Sequence, residues 1–246
     1  MRSCPQNLHD LVKRVQERTA SSDFDVLFRP GLCTHPIPFF GNISTAQVIT
    51  VGVNPSADEF VANVWPQQRM TPDQLGVRCR EYFLDDTSHP WFTAWDRALV
   101  HLRVGYRNGS AAHIDLSPRA TQSMSGLQKR RHVPRFIEMV EHDLSLFFDV
   151  LKECKEVKLI LLAGAVTGRW YANELLQKLA RDHGFQLERK FTRAEHPGRG
   201  KVCMHRLTGR RLDLPVFFCS SSPSDKNGCL LEARVSQHAP ELLRHL

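Results

Sequence analysis

Four short apolar runs decide what this chain can fold into. They are residues 46–53 (AQVITVGV), 111–116 (AAHIDL), 157–163 (VKLILLA) and 216–219 (VFFC). Each is bounded by turn formers and predicts a short buried strand. Helical spacing fills the intervals. Residues 7–18 set Leu8, Leu11, Val12 and Val15 on one face, and residues 91–102 and 168–183 are further helical patterns, the latter ended by Gly184. Residues 135–153 carry the strongest stripe, with Phe136, Val140, Leu144, Phe147, Phe148 and Leu151. Strands separated by helices imply an α/β fold: a central parallel four-stranded sheet flanked by helices. One domain spans residues 1–246, with an N-terminal helix at about 6–20 packed on it. In such sheets chemistry gathers where strands end, so the loops after the runs matter most.

Composition narrows the function classes. The chain has 33 Lys and Arg against 26 Asp and Glu, a net charge of +7. That excess suits a polyanionic partner such as nucleic acid, and equally a basic housekeeping enzyme. No apolar run reaches the ~18 residues that a membrane helix needs, and residues 1–10 lack a signal-peptide core, so a cytoplasmic protein with no membrane partner is expected. A monomer is expected as well. The seven cysteines include no C-x-x-C pair and read as reduced, mostly structural thiols. Neither a Walker loop, a G-x-G-x-x-G, an H-E-x-x-H nor a G-x-S-x-G is present.

After the first run comes Gly52-Val53-Asn54-Pro55-Ser56, with Glu59 three residues past Ser56, the spacing of a capping box. Asp115 ends the second run, and the last run leads into Ser220-Ser221-Ser222-Pro223-Ser224. GVNPS and SSSPS resemble the two signature motifs of the uracil-DNA glycosylase superfamily. With REYF, HPWF, GSAAHIDL and LILLAGA in the same order, the likeness extends over residues 36–228 and points to a bacterial uracil-DNA glycosylase-like branch.

The resemblance implies a DNA glycosylase that flips a base out of the stack and hydrolyses its N-glycosidic bond, with no cofactor, and with DNA as partner. The cysteine pairs of the iron–sulfur branches are missing. Asn54 falls where the family has Asp or Asn. Its amide is no base, but its carbonyl can hold the attacking water; turn geometry alone also explains an Asn there. Ser222 falls where many members carry a His that donates to the departing base. His196-Pro197-Gly198 competes for this motif, but no apolar run precedes it. Ser224 and Lys226 would then meet the DNA backbone.

Asp115 falls near an Asn that reads uracil. As an acceptor it would repel uracil O4 and accept from the cytosine N4 amine; alternatively it ties backbone amides in the strand-end turn. Ser56 stands where strict uracil enzymes have a Tyr that excludes substituents on C5. Together these two residues suggest a 5-substituted or hypermodified cytosine as the target, with uracil next, in defence against phage DNA. Trp65 or Phe60 would stack on the flipped base. Tyr82, Phe83, Trp91, Phe92 and Trp95 read as packing. Lys129, Arg130 and Arg131, with a second basic group over residues 189–211, can contact phosphates or simply be solvated. Two rivals remain open: a catalytically silent nucleic-acid binder and a nucleoside-level hydrolase. A structural or regulatory protein fits the polar loops least.

Overall fold

The computed structural model describes residues 5–21, 23–32, 34–61, 65–66, 68–85, 89–163, 165–167, 170–171, 175–177, 180–194, 201–209, 212–221 and 229–246. Its strands are β1 (Val48–Gly52), β2 (Ala111–Asp115), β3 (Leu159–Ala163), β4 (Ala165–Thr167), β5 (Trp170–Tyr171), β6 (Gln186–Ala194), β7 (Lys201–Gly209) and β8 (Leu212–Cys219). Its helices are α1 (Gln6–Arg18), α2 (Asp58–Val61), α3 (Pro72–Glu81), α4 (Pro90–Val100), α5 (Met124–Lys129), α6 (Val133–Glu153) and α7 (Cys229–Leu242).

The fold is α/β, with helices flanking a mixed six-stranded sheet in the order β2-β1-β3-β8-β7-β6. The expected parallel set is present as β2, β1, β3 and β8. The sheet does not stop there: β7 and β6 extend it antiparallel beyond β8. Their sequences, KVCMHRLTG and QLERKFTRA, mix charge into the strand, which concealed them among basic residues; β6 is the sheet edge, where charge is tolerated, and β7 lies between β8 and β6. Every residue of β1, β2 and β3 is buried, as parallel strands covered on both faces require. In β8 burial is continuous only from Val216, where the strand gains β3 as a second neighbour.

The stripe read over residues 135–153 is the buried face of α6, and α1 buries Leu8, Leu11, Val12 and Val15 against α3 and α6. The helix expected over residues 168–183 is present in part: residues 175–177 and 180 are helical, but it is not continuous. Trp170 and Tyr171 pair with β4 instead, as β-forming residues do, and Arg181–His183 is a single 3₁₀ turn closed by Gly184 at φ +77°. Among the described residues no helix is long and apolar enough to cross a membrane, and no metal-ligating cluster is found. Cys79, Cys154, Cys203 and Cys219 are buried and in no disulfide.

Candidate active site

The parallel ladder places Gly52 of β1 beside Asp115 of β2, so the two loops that follow leave the sheet side by side. Backbone bonds then zip them together: Leu116 N–H to Gly52 O at 3.1 Å, Ser117 N–H to Val53 O at 3.0 Å, and Ala57 N–H to Thr121 O at 2.9 Å. Asn54 is locked into this seam. Its amide Nδ2 donates towards Pro55 O at 2.8 Å, Arg119 O at 3.1 Å and Thr121 Oγ1 at 2.9 Å. Two of those acceptors are carbonyls, which fixes the NH₂ end on that side. Asn54 Oδ1 therefore faces the other way, and no described residue donates to it.

The arrangement opens on a pocket of about 130 Å³. That is close to the ~150 Å³ that encloses one benzene ring, and well below the ~300–1,000 Å³ of drug-sized sites. Phe40, Trp91 and Phe92 form its aromatic wall; Asn54, Ser56, Glu59, His89, His113 and Asp115 supply its polar groups. Asp115 is 6% exposed. Its Oδ1 lies 3.2 Å from His113 Nε2, while no described residue donates to Oδ2. His113 shares a strand face with Asp115, and its Nδ1 meets Thr50 Oγ1 at 2.8 Å, which in turn meets Tyr106 OH at 2.6 Å. Gly52 makes room for this carboxylate, since a Cβ there would overlap Asp115 Oδ1.

Glu59 is also 6% exposed. Burial pushes its carboxyl up to about 7; the Tyr82 hydroxyl, donating to Oε2 at 2.6 Å, opposes that, while the charges of Asp115 and Asp58 reinforce it. His89 caps α4 by accepting the Trp91 N–H on Nδ1 at 3.2 Å. Its proton therefore sits on Nε2, and burial holds the ring below the usual histidine range, favouring the neutral form.

Of the residues singled out from sequence, Asn54, Ser56 and Asp115 meet in this pocket. Phe60 and Trp65 do not. They are buried in an aromatic core, Phe60 5.7 Å from Trp65 and Trp65 stacked 6.0 Å from Tyr82. The stacking wall comes from Phe40, Trp91 and Phe92 instead, two of which read as packing. Nor does Ser56 form a capping box with Glu59. Ser56 Oγ takes the Asp58 N–H, and the Glu59 carboxyl turns to Tyr82. Lys129, Arg130 and Arg131 are exposed at the end of α5, outside the pocket lining. Ser222, Ser224 and Lys226, and the competing His196, lie outside the described residues. A strand, β6, does precede His196, but it is charged rather than apolar, in keeping with the expectation that no apolar run leads into it.

Sequence reading missed Glu59, His89 and His113 as pocket groups. Only His113 left a signal, two residues before Asp115 in a buried strand. Comparison with protein-family models, curated proteins and solved structures finds no match, so the likeness to the superfamily motifs stands on those residues alone.

Proposed function

We propose that the chain is a monofunctional DNA glycosylase that takes a flipped, modified pyrimidine into this pocket and hydrolyses its N-glycosidic bond. The carrying observation is that Asn54 and Ser56, from the loop after β1, and Asp115, from the end of β2, share one ring-sized cavity with an aromatic wall. An aromatic wall suits a planar base, and stacking contributes ~1–3 kcal/mol per base. The open Oδ2 of Asp115 suits the cytosine N4 amine better than uracil O4. Ser56 leaves the C5 side uncrowded, so a 5-substituted or hypermodified cytosine is the favoured target, of the kind that marks phage DNA. The net charge of +7 and the exposed Lys129-Arg130-Arg131 run suit a DNA backbone.

The test is an alkaline-cleavage assay on oligonucleotides bearing uracil, hypoxanthine, a thymine mismatch, 5-hydroxymethylcytosine or glucosylated cytosine. Strand breaks are expected at a modified cytosine, and Asn54→Ala is expected to lower their rate by about 100-fold. Salt-dependent binding without cleavage of any base would replace this reading with the silent binder. Cleavage of free nucleosides at the same rate would replace it with the nucleoside hydrolase.

A further inference from the structure

If the pocket hydrolyses a glycosidic bond, the residue types at the two motif positions of the sequence leave the chemistry underpowered. An amide at Asn54 accepts a hydrogen bond from water but cannot take its proton, and a serine at 222 brings no imidazole. Two other groups of the same pocket have what is missing. Glu59 is held at one oxygen only: Tyr82 OH donates to Oε2, whereas Oε1 lies 3.8 Å from His89 Nδ1, beyond hydrogen-bond range. His89 is held at the opposite end of its ring, Nδ1 being occupied by the Trp91 N–H, so that Nε2–H has no acceptor among the described residues. The two are tied together, because Tyr82 OH also accepts the His89 backbone N–H at 3.1 Å.

We propose that Glu59 and His89 are the acid–base pair of this pocket, Glu59 taking a proton from the attacking water and His89 Nε2–H hydrogen-bonding the departing base. The inference rests on the glycosylase reading. In the step, the water oxygen bonds to C1′ of the sugar as the C1′–N bond breaks, its electron pair leaving with the base. The water proton passes to the Glu59 carboxylate. His89 keeps its proton and steadies the base anion, which is then protonated by solvent, and Glu59 returns its proton to solvent. The groups facing Glu59 are Tyr82 from the turn after α3, His89 from the start of α4, Asp115 from the end of β2 and Asp58 on its own helix. None of them is a permanent cation. Asp115 is left to read the base.

The experiment measures single-turnover excision from pH 5 to 9 for wild type, Glu59→Gln, His89→Ala and Asp115→Asn. The same proteins are assayed for binding to a duplex with a cationic pyrrolidine in place of the target sugar, against one with neutral tetrahydrofuran. The wild-type rate is expected to rise about tenfold per pH unit up to about 7 and then level. Glu59→Gln should lower the plateau by about 100-fold, abolish that rise and erase the preference for pyrrolidine. His89→Ala should slow excision by about 10-fold or more, least for a base whose electron-withdrawing 5-substituent steadies its own anion. Asp115→Asn should change which base is cut and keep the rise with pH, moved to lower pH because one of the charges that raise Glu59 is gone. Excision that survives Glu59→Gln with the same profile overturns the pair while the glycosylase reading stands. No excision of any base, with equal binding of the two duplexes, overturns both.

Discussion

Two buried carboxylates serve the zipped loops in opposite ways. Asp143 of α6 is fully buried, and its charge is answered on every side: Ser117 Oγ donates at 2.7 Å, Arg119 Nε at 3.0 Å, and His142 Nδ1 lies 2.9 Å away. The Arg119 guanidinium is satisfied in turn by the carbonyls of Arg18, the last residue of α1, and of Thr19 and Ser21 just after it. Glu59 has a single neutral donor, Tyr82, and two acids in its field. The contrast separates a group whose valences are all spent on the fold from one that keeps an oxygen facing a cavity. It also locates the cost, because Asp143 stabilises the loop that holds Asn54, whereas ionised Glu59 strains the fold that holds it.

The sharpest way to break the comparison is to remove one half of the paired site. Asp143→Ala leaves Arg119 buried and uncompensated, and should cost about 3–5 kcal/mol of stability. Urea unfolding at pH 7 checks this. A loss below 1 kcal/mol, on the scale of an exposed ion pair, would mean the pair is not truly desolvated. Glu59→Gln should act in the other direction. The folded carboxyl sits near 7 against 4.5 in the unfolded chain, so the unfolded state gives up its proton first as pH rises. Folding stability therefore falls between about 4.5 and about 7, and above that range ionised Glu59 costs the fold about 3 kcal/mol. The variant should gain up to that amount at pH 8 and nothing at pH 4, measured by urea unfolding at both. Equal gains at the two pH values would assign the effect to packing.

The same contrast explains what the sequence could and could not disclose. Strand positions came from runs such as VITVG and LILLA, where burial on both faces writes itself as continuous hydrophobicity. With strand ends known, the loops after β1 and β2 followed, because a parallel sheet brings its loops to one edge, and the motif resemblance singled out Asn54, Ser56 and Asp115 within them. Glu59 was hidden because its role depends on Tyr82, 23 residues away, while its local spacing imitated a helix cap. Phe60 and Trp65 misled for the converse reason: an aromatic near a motif looks available until the packing around Phe40 and Tyr82 claims it. Strands β6, at the sheet edge, and β7 beside it were read as basic surface, because both carry charged residues among their apolar ones.

A smaller effect tests how closely Asp115 is fitted. At Gly52 a methyl group would overlap Asp115 Oδ1, and it would also press on the His113 ring at 3.3 Å. Gly52→Ala should cost about 1–3 kcal/mol by overpacking. Its larger consequence should be on base choice, because the carboxylate must swing away from its place beside His113. Discrimination between modified cytosine and uracil should fall more than the rate on either one. A rate loss equal for both bases would show that Asp115 does not read the base.

The smallest change touches the one bond that separates Glu59 from complete isolation. Tyr82→Phe keeps the ring stack with Trp65 and removes only the hydroxyl, so stability should change by no more than about 1.5–3 kcal/mol, the range for a hydrogen bond to a charged group. That hydroxyl favours the ionised carboxylate, so its loss should raise the Glu59 pKa further and move the rising limb of the pH–rate curve to higher pH. The plateau at high pH should be largely retained, since the base itself remains. A purely structural Tyr82 would lower the rate at every pH without moving the curve. An upward move with the plateau kept would show that the reactivity of Glu59 is tuned by the bond it lacks as much as by the bond it has.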